Sequence, residues 1–202
     1  MCFIGPCAAK KLEASRRTVR SDVDFVLTFE ELLGMFDAKE IDFATIEADS
    51  ADGMNEGSGM GRGFAVGGGV AAAVVEAIRH IDPDREVLIE YGDGLKECRK
   101  MLAMAKAGKR NGYLLEGMAC PGGCVGGGGQ PIHEGKEMAE IRSKNLYFLD
   151  SQNERRFSHE NPEVLKTYEE YLEKPLSRMS HKLLHTDHHG WDMPLAPKLK
   201  KR

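Results

Sequence analysis

The sequence lacks long apolar runs and a strong net charge. No stretch of its 202 residues approaches the roughly 20 consecutive apolar residues of a membrane-spanning helix, and its start lacks the basic-then-apolar pattern of a signal peptide. The formal net charge is only -4, so no global field favours nucleic acid or an anionic membrane. We therefore expect a cytoplasmic globular protein that binds neither nucleic acid nor membranes, and we interpret the basic residues 198–202 as a solvated terminus.

The sequence also lacks the even number of cysteines that a disulfide framework requires. It has five, and in a reducing compartment such thiols are more often metal ligands or core residues. Cys98 lies on the apolar stripe of a predicted helix and Cys2 on an apolar opening strand, so both are interpreted as core residues. Cys120 and Cys124 lie in the glycine-rich segment CPGGCVGGGG (residues 120–129). We therefore expect Cys120 and Cys124 to belong to the functional site.

Hydrophobic periodicity predicts an α/β fold with a partly parallel sheet flanked by helices. Short strands are predicted at 25–27, 86–91 and 112–119, with the first of these buried. One helix begins at a capping box formed by Thr28 and Glu31. Two more helices carry apolar stripes: Val70, Val74, Ala77, Ile78 and Ile81 on the first, and Leu95, Cys98, Leu102 and Ala105 on the second.

A helical C-terminal arm is predicted beyond the α/β region. A short helix is expected at 137–144, and a second helix begins where Asn161 acts as cap and Pro162 occupies the first turn. Residues 1–150 are therefore assigned to the α/β lobe and 151–202 to a helical tail.

Thiolates favour soft metals, and four of them typically hold an iron–sulfur cluster. Cys7 follows an apolar strand and a Gly-Pro turn, which makes it the third candidate ligand. Glycines beside the cysteines allow backbone N–H groups to point at sulfide. A zinc site would need a second close Cys/His pair, and a redox dithiol prefers two intervening residues where Cys120 and Cys124 have three. An iron–sulfur site is therefore favoured.

Several other patterns have simpler interpretations. The glycine run 61–69 lacks the Gly-Lys-Ser/Thr ending of a phosphate loop. Lys10 either neutralises an anionic cluster or starts a solvated helix. The histidines of the polar tail are interpreted as a solvated face: His181, His185, His188 and His189. The methionines of the 50–69 loop, Met54 and Met60, are interpreted as loop or pocket packing residues.

Two motifs resemble a known family. PCAAKKLE (residues 6–13) and EGMACPGGCVGGGGQP (residues 116–131) resemble the second and third signature motifs of the iron-only, or di-iron, hydrogenase large subunit. GFAVGGGVAAAVVEAIR (residues 63–79) is similar to the glycine-rich turn and helix between those motifs, and residues 161–185 are similar to the family's small-subunit segment. The resemblance implies that 1–150 is the C-terminal lobe of the catalytic domain and that 151–202 is the small-subunit-like tail.

The resemblance also implies a cofactor and its ligands. Cys7, Cys120 and Cys124 would bind a 4Fe-4S cluster, and Cys124 would bridge it to a di-iron subcluster that carries carbon monoxide, cyanide and a dithiolate. Lys10 would donate a charge-assisted hydrogen bond to a cyanide, and Met118 would pack against the di-iron subcluster. Further cofactor-binding residues are implied in the surrounding wall and loop: Phe64, Gly67, Gly68, Pro121, Gly122, Gly123 and Gln130.

The activity implied by the resemblance is the reversible oxidation of dihydrogen to protons and electrons at an open iron position, with a ferredoxin or other electron carrier as partner. The family's first motif, two adjacent cysteines followed by proline, is absent from the sequence. We therefore expect the C-terminal part of a hydrogenase, inactive alone and completed by an N-terminal hydrogenase segment that supplies the fourth cysteine.

Two alternatives stay open. The first is a hydrogenase-like iron–sulfur protein in cluster assembly or sensing, without hydrogen turnover. Gly5 favours it mildly, because the commonest hydrogenases have methionine there. The second is an apo α/β domain or partner module that binds no metal.

Overall fold

A computed structural model describes residues 1–16, 22–47 and 57–185 of the chain. Met54, His188, His189 and residues 198–202 lie outside the described residues. The elements in chain order are β1 (Cys2–Gly5), α1 (Ala9–Ala14), β2 (Phe25–Thr28), α2 (Phe29–Asp37), α3 (Gly59–Gly63), α4 (Gly69–Ile81), β3 (Leu88–Asp93), α5 (Leu95–Lys106), β4 (Tyr113–Met118), α6 (Ala139–Ser151), α7 (Pro162–Thr167) and α8 (Arg178–Leu184).

The chain forms two compact units. The first comprises Met1–Ile46, Gly128–Pro131 and Leu172–Arg202, and the second comprises Glu47–Gly127 and Ile132–Tyr171. The division at residue 150 expected from the sequence stays a prediction. None of the described helices has both the length and the apolar character needed to cross a membrane.

The first unit is built on a parallel pair of strands, β1 and β2. The predicted capping box at the start of α2 is confirmed: Glu31 N–H donates to Thr28 Oγ1 at 3.2 Å, and Thr28 N–H donates to Glu31 Oε2 at 2.9 Å. Phe25 is 68% exposed and Cys2 is also exposed. The predictions of a fully buried strand at 25–27 and of Cys2 as a core residue are therefore wrong, because only two strands pair in this sheet within the described residues.

The second unit is built on another parallel pair, β3 and β4, joined by the crossover helix α5. Parallel strands require such a crossover. A small core is formed by Ala71 and Val75 of α4, Met101 of α5, and Val125. The predicted strands and helices are confirmed here with shifted ends, and the loop predicted over 50–69 contains the short helix α3.

The predicted apolar stripes are partly wrong. Leu95 and Leu102 are 72% and 61% exposed, while Cys98 and Met101 of the same helix face inward. The cause lies in the strands below α5: a Cβ added at Gly92 would lie 2.8 Å from the Cys98 Cα, and one added at Gly117 would lie 3.2 Å from the Cys98 Sγ. These two glycines let the Cys98 face of α5 approach the sheet closely. On α4, Ile81 of the predicted stripe is also exposed.

The C-terminal helices follow local signals. Asn161 Oδ1 accepts the N–H groups of Glu163 and Val164 at 2.9 and 3.3 Å, which confirms the predicted cap. The helix α6 is longer than the one predicted at 137–144. A π-helical turn at Tyr168–Leu172 follows α7, and Ser177 caps α8 by accepting the Ser180 N–H at 3.0 Å.

The capping box predicts a measurable acid dependence of stability. Lys11 Nζ donates to Glu31 Oε1 at 2.5 Å, and this bond, with that from the Thr28 N–H, lowers the pKa of Glu31 to about 2. Because the folded pKa lies below the unfolded value, the contribution is fully present above about pH 4.5 and is lost as the pH falls towards 2. Glu31→Gln should therefore make the urea midpoint depend less steeply on pH between 5 and 2. The control is Glu30→Gln on the same exposed turn, and equal slopes for both variants would contradict the assignment.

Candidate metal centre

The cysteine loop, residues 119–127, leaves the end of β4 and places its two thiols at either end of a tight turn. Gly122 and Gly123 adopt positive φ angles of 80° and 94°, which glycine adopts without strain. Gly123 N–H donates to the Cys120 carbonyl at 3.0 Å, and a 3-10 turn over Cys124–Gly126 follows. Both cysteines are half-buried, and neither forms a disulfide. The predicted position of the pair at a strand end is confirmed.

The glycine-rich turn, residues 64–69, contacts the cysteine loop through backbone groups. Gly67 N–H donates to the Gly122 carbonyl at 3.1 Å, and Val125 N–H donates to the Ala65 carbonyl at 3.0 Å. A Cβ added at Gly123 would lie 2.6 Å from Gly67 N and 2.7 Å from Ala65 O. The two loops can therefore approach this closely only because position 123 has no side chain.

A buried carboxylate fixes the glycine-rich turn to the sheet. Gly68 N–H donates to Glu116 Oε1 at 3.0 Å and Ala71 N–H donates to Glu116 Oε2 at 2.7 Å. Glu116 lies on β4 and is only 9% exposed. Gly68 caps α4, so the carboxylate also lies where N–H groups lack helical partners and where a negative charge is favoured. This role of Glu116 was not predicted from the sequence, although a charged residue within an apolar strand was its signal.

A second carboxylate contacts the cysteine loop itself. Asp93, the last residue of β3, accepts the Gly122 N–H on Oδ1 at 2.7 Å. The N–H groups of Gly122 and Gly123 therefore donate to Asp93 and to the Cys120 carbonyl. The expectation that backbone N–H groups of this loop point at sulfide stays a prediction. The assignment of Gly122 and Gly123 as cofactor-binding residues stays a prediction, as does that of Pro121 in the same loop.

Three predicted site residues belong to the first unit: Cys7, Lys10 and Gln130. Cys7 is half-buried and follows β1, and the Lys10 ammonium pairs with Glu13 one turn further along α1. Gly129 N–H donates to the Pro6 carbonyl at 2.9 Å, so the segment 128–131 lies beside the turn that precedes Cys7. Gln130 is half-buried in that segment.

The remaining predicted residues lie in the second unit. Met118 ends β4 and is half-buried, Gly67 contacts the cysteine loop, and Phe64 is 45% exposed. Met60 and Phe64 line a small cavity of about 30 Å³, which agrees with the interpretation of Met60 as a packing residue. Cys98 is half-buried beneath β3 and β4, which agrees with its interpretation as a core residue.

The histidines of the tail form no larger cluster in the described part of the chain. His181 and His185 have ring centroids 4.4 Å apart and are both exposed, as expected of a solvated face. Across residues 1–16, 22–47 and 57–185, no three His, Cys, Asp or Glu side chains are grouped so that they could hold a metal ion.

The donor chemistry of the cysteine loop nevertheless fits an iron–sulfur group. Its two thiols are half-buried and not paired in a disulfide, and thiolates are the ligands that such clusters require. The turn between them bears little side-chain bulk, so a large inorganic anion can approach the backbone. Two thiols are half of a four-thiolate set, and Cys7 lies in the other unit.

Comparison with known proteins confirms the family that the motifs resemble. Residues 1–128 match the family described as iron only hydrogenase large subunit, C-terminal domain. Residues 136–191 match the family described as iron hydrogenase small subunit. The two matches follow one another in the order expected from the motifs.

Individual relatives extend this result. The NADP-reducing hydrogenase subunit HndD of Solidesulfovibrio fructosivorans is 36% identical, over 90% of this chain and 36% of that protein. A solved FeFe-hydrogenase, studied for oxygen inactivation through degradation of its H cluster 2Fe subcluster, superposes with a TM-score of 0.71 and 27% identity over 92% of this chain and 61% of that one. The α/β class is thereby confirmed, and this chain spans less than two thirds of either relative.

A relative with a different described role is also similar. The cytosolic iron-sulfur assembly component 3 of Mus musculus is 27% identical, over 94% of this chain and 47% of that protein. Proteins described as hydrogenases and as assembly components therefore both resemble this chain along most of its length.

Replacement of the buried carboxylate should destabilise the second unit. Glu116→Ala leaves two N–H groups without their charged acceptor, and we expect a loss of about 3 kcal/mol in the free energy of unfolding. Glu116→Gln keeps one acceptor oxygen and should lose about half as much. Urea unfolding measures both. The control Glu97→Ala removes an exposed carboxylate on α5 and should change stability by less than about 0.5 kcal/mol; a loss as small in Glu116→Ala would refute the role of this residue.

The close contact between the loops gives a second prediction. Gly123→Ala places a methyl group against the backbone of residues 65–67 at a positive φ, so we expect a loss of at least about 3 kcal/mol in unfolding free energy. Gly128→Ala in the next turn meets no heavy atom within 4 Å and should cost less than about 1 kcal/mol. Thermal unfolding of the two variants compares them directly, and similar losses would show that the contact is not tight.

Proposed function

We propose, since the chain belongs to the iron-only hydrogenase large-subunit family, that it forms part of an enzyme that reversibly oxidises dihydrogen to protons and electrons. The observation that supports this most is the cysteine loop, which has two thiols outside any disulfide at the ends of a glycine turn and is held by backbone contacts to the glycine-rich turn. The cysteine loop lies within the motif at residues 116–131, and the glycine-rich turn lies within the segment 63–79 that is also similar to the family.

The chain's own residues would hold the cofactor. Cys7, Cys120 and Cys124 would supply three thiolates to a 4Fe-4S cluster, with Cys124 shared with a di-iron subcluster. When bound, these groups supply an open iron position for dihydrogen and a route for its electrons. Lys10 would exchange its ion pair with Glu13 for a hydrogen bond to an anionic ligand, and Met118 would exclude water beside it.

The exposed sheets support a further hydrogenase segment, which a four-thiolate cluster would also need. Parallel sheets are ordinarily covered on both faces, and a two-stranded sheet is marginal alone. Here Phe25 of β2 and Leu88, Ile89 and Tyr91 of β3 are exposed. We propose that an N-terminal hydrogenase segment covers these strands and supplies the fourth cysteine. An electron-carrier protein such as a ferredoxin would complete the system, in the cytoplasm.

A second candidate function is iron–sulfur cluster assembly without hydrogen turnover. It is favoured by the similarity to the assembly component, which extends over 94% of this chain. Both functions would use the same cysteines, so metal content alone does not separate them. The hydrogen assay does, because the assembly role predicts a bound cluster with no turnover after maturation.

The roles of the cysteines are tested with a matched pair of variants. The chain is reconstituted anaerobically with iron and sulfide, alone and with a segment that bears the adjacent cysteines, and is then matured and assayed for hydrogen. Cys124→Ala should abolish turnover and lose most of the bound iron. Cys98→Ala, which removes a half-buried thiol between α5 and the sheet, should keep both nearly intact.

Each outcome of this experiment supports or contradicts one of the proposed functions. Bound iron that depends on Cys124, together with hydrogen turnover, supports the hydrogenase, whereas bound iron without turnover supports the assembly role. Equal loss in Cys98→Ala and Cys124→Ala would overturn the assignment of the ligands. The absence of iron from every wild-type sample would mean that the chain binds no cluster.

A further inference from the structure

The Arg142 guanidinium of α6 donates to the Val125 carbonyl of the cysteine loop at 2.9 Å, and the carboxylate of Asp93 contacts the turn between the two candidate ligands. Its Oδ1 lies 2.7 Å from the N atom of Gly122, two residues from each cysteine. The neighbouring residue Gly94 donates its N–H to the Met118 carbonyl at 2.8 Å, so the end of β3 is fixed to the end of β4, from which the cysteine loop leaves. Asp93 is therefore held at the base of that loop.

We infer that Asp93 is a positioning residue for the cysteine loop, and that its charge lowers the reduction potential of the cluster bound there. The inference rests on the proposed function, because it concerns the cluster that the loop would hold. Neither part follows from the family motifs quoted above, since Asp93 lies outside all of them.

The positioning role follows from the kinds of hydrogen bond that hold the loop. Those from Gly67 to Gly122 and from Val125 to Ala65 join backbone to backbone, and they attach the loop to another loop. Asp93 instead attaches it to a strand end. A bond from an amide to a carboxylate is also stronger than one between neutral groups, so its removal should increase the opening of the turn between Cys120 and Cys124.

The effect on the reduction potential follows from the negative charge of the Asp93 carboxylate. A cluster ligated by thiolates gains a further negative charge when it is reduced, and a carboxylate beside its ligand turn opposes that gain. Asp93 is exposed, so solvent weakens the interaction without changing its sign. Neutralisation of Asp93 should therefore make reduction easier and raise the potential.

Two variants separate the two roles. Asp93→Asn keeps an oxygen acceptor for the Gly122 N–H and removes the charge, whereas Asp93→Ala removes both. Glu97→Gln, which makes the same charge change on the exposed face of α5, is the control. Circular dichroism checks that each variant keeps the wild-type secondary structure.

The first measurement needs no cofactor. Amide hydrogen exchange is followed by mass spectrometry in the full-length apo chain, for peptides that cover the cysteine loop. We expect exchange in residues 119–127 to be several-fold faster in Asp93→Ala than in the wild type, and close to wild type in Asp93→Asn and Glu97→Gln. A peptide over α7 serves as internal reference. Unchanged exchange in Asp93→Ala would overturn the positioning role.

The second measurement is the midpoint potential of the reconstituted cluster in the complemented protein, followed by electron paramagnetic resonance. We expect a more positive midpoint in Asp93→Asn and a much smaller shift in Glu97→Gln. Equal midpoints in the wild type and Asp93→Asn would overturn the electrostatic role. If the wild type binds no cluster, the proposed function fails and the electrostatic role falls with it, while the exchange experiment still decides the positioning role.

Discussion

The site depends on the two hydrogen bonds that the Glu116 carboxylate accepts from Gly68 and Ala71. A carboxylate buried to this degree must be paired with donors, because an unpaired one would cost several kcal/mol. Its donors here are N–H groups at the start of α4 that have no acceptor within the helix. The two hydrogen bonds therefore satisfy both the buried charge and the helix end. The glycine-rich turn is thereby fixed to β4, and the cysteine loop is fixed to that turn.

The topology of the second unit explains why these groups meet. β3 and β4 are parallel, so their carboxyl ends lie at the same edge of the sheet, which is where ligands bind in α/β proteins. Asp93 is the last residue of β3 at this edge, and the cysteine loop follows the last residue of β4. Glycine at positions 92 and 117 lets α5 approach the strands closely beneath this edge. The position of the cysteine loop thus depends both on the parallel direction of β3 and β4 and on the glycines that let α5 approach them.

The parts of the structure that sequence reasoning predicted correctly are local. The capping box of Thr28 and Glu31 and the Asn161 cap are signalled within four residues, and the glycines around Cys120 and Cys124 specify the turn that the chain forms. The inward face of α5 depends on glycines in both neighbouring strands, Gly92 in the strand before α5 and Gly117 in the strand after it. The roles of Glu116 and Asp93 depend on partners 29 to 48 residues away. A local sequence pattern does not predict contacts between residues so far apart in the chain.

The uncovered faces of the two sheets also bear on biogenesis. Within the described residues each sheet has only two strands, and such strands with exposed apolar side chains, as on Phe25 and Ile89, associate with other copies of the chain. This association grows with concentration. The yield of soluble protein in a cell is then governed by how many chains expose these faces at one time, more than by the intrinsic folding rate of one chain.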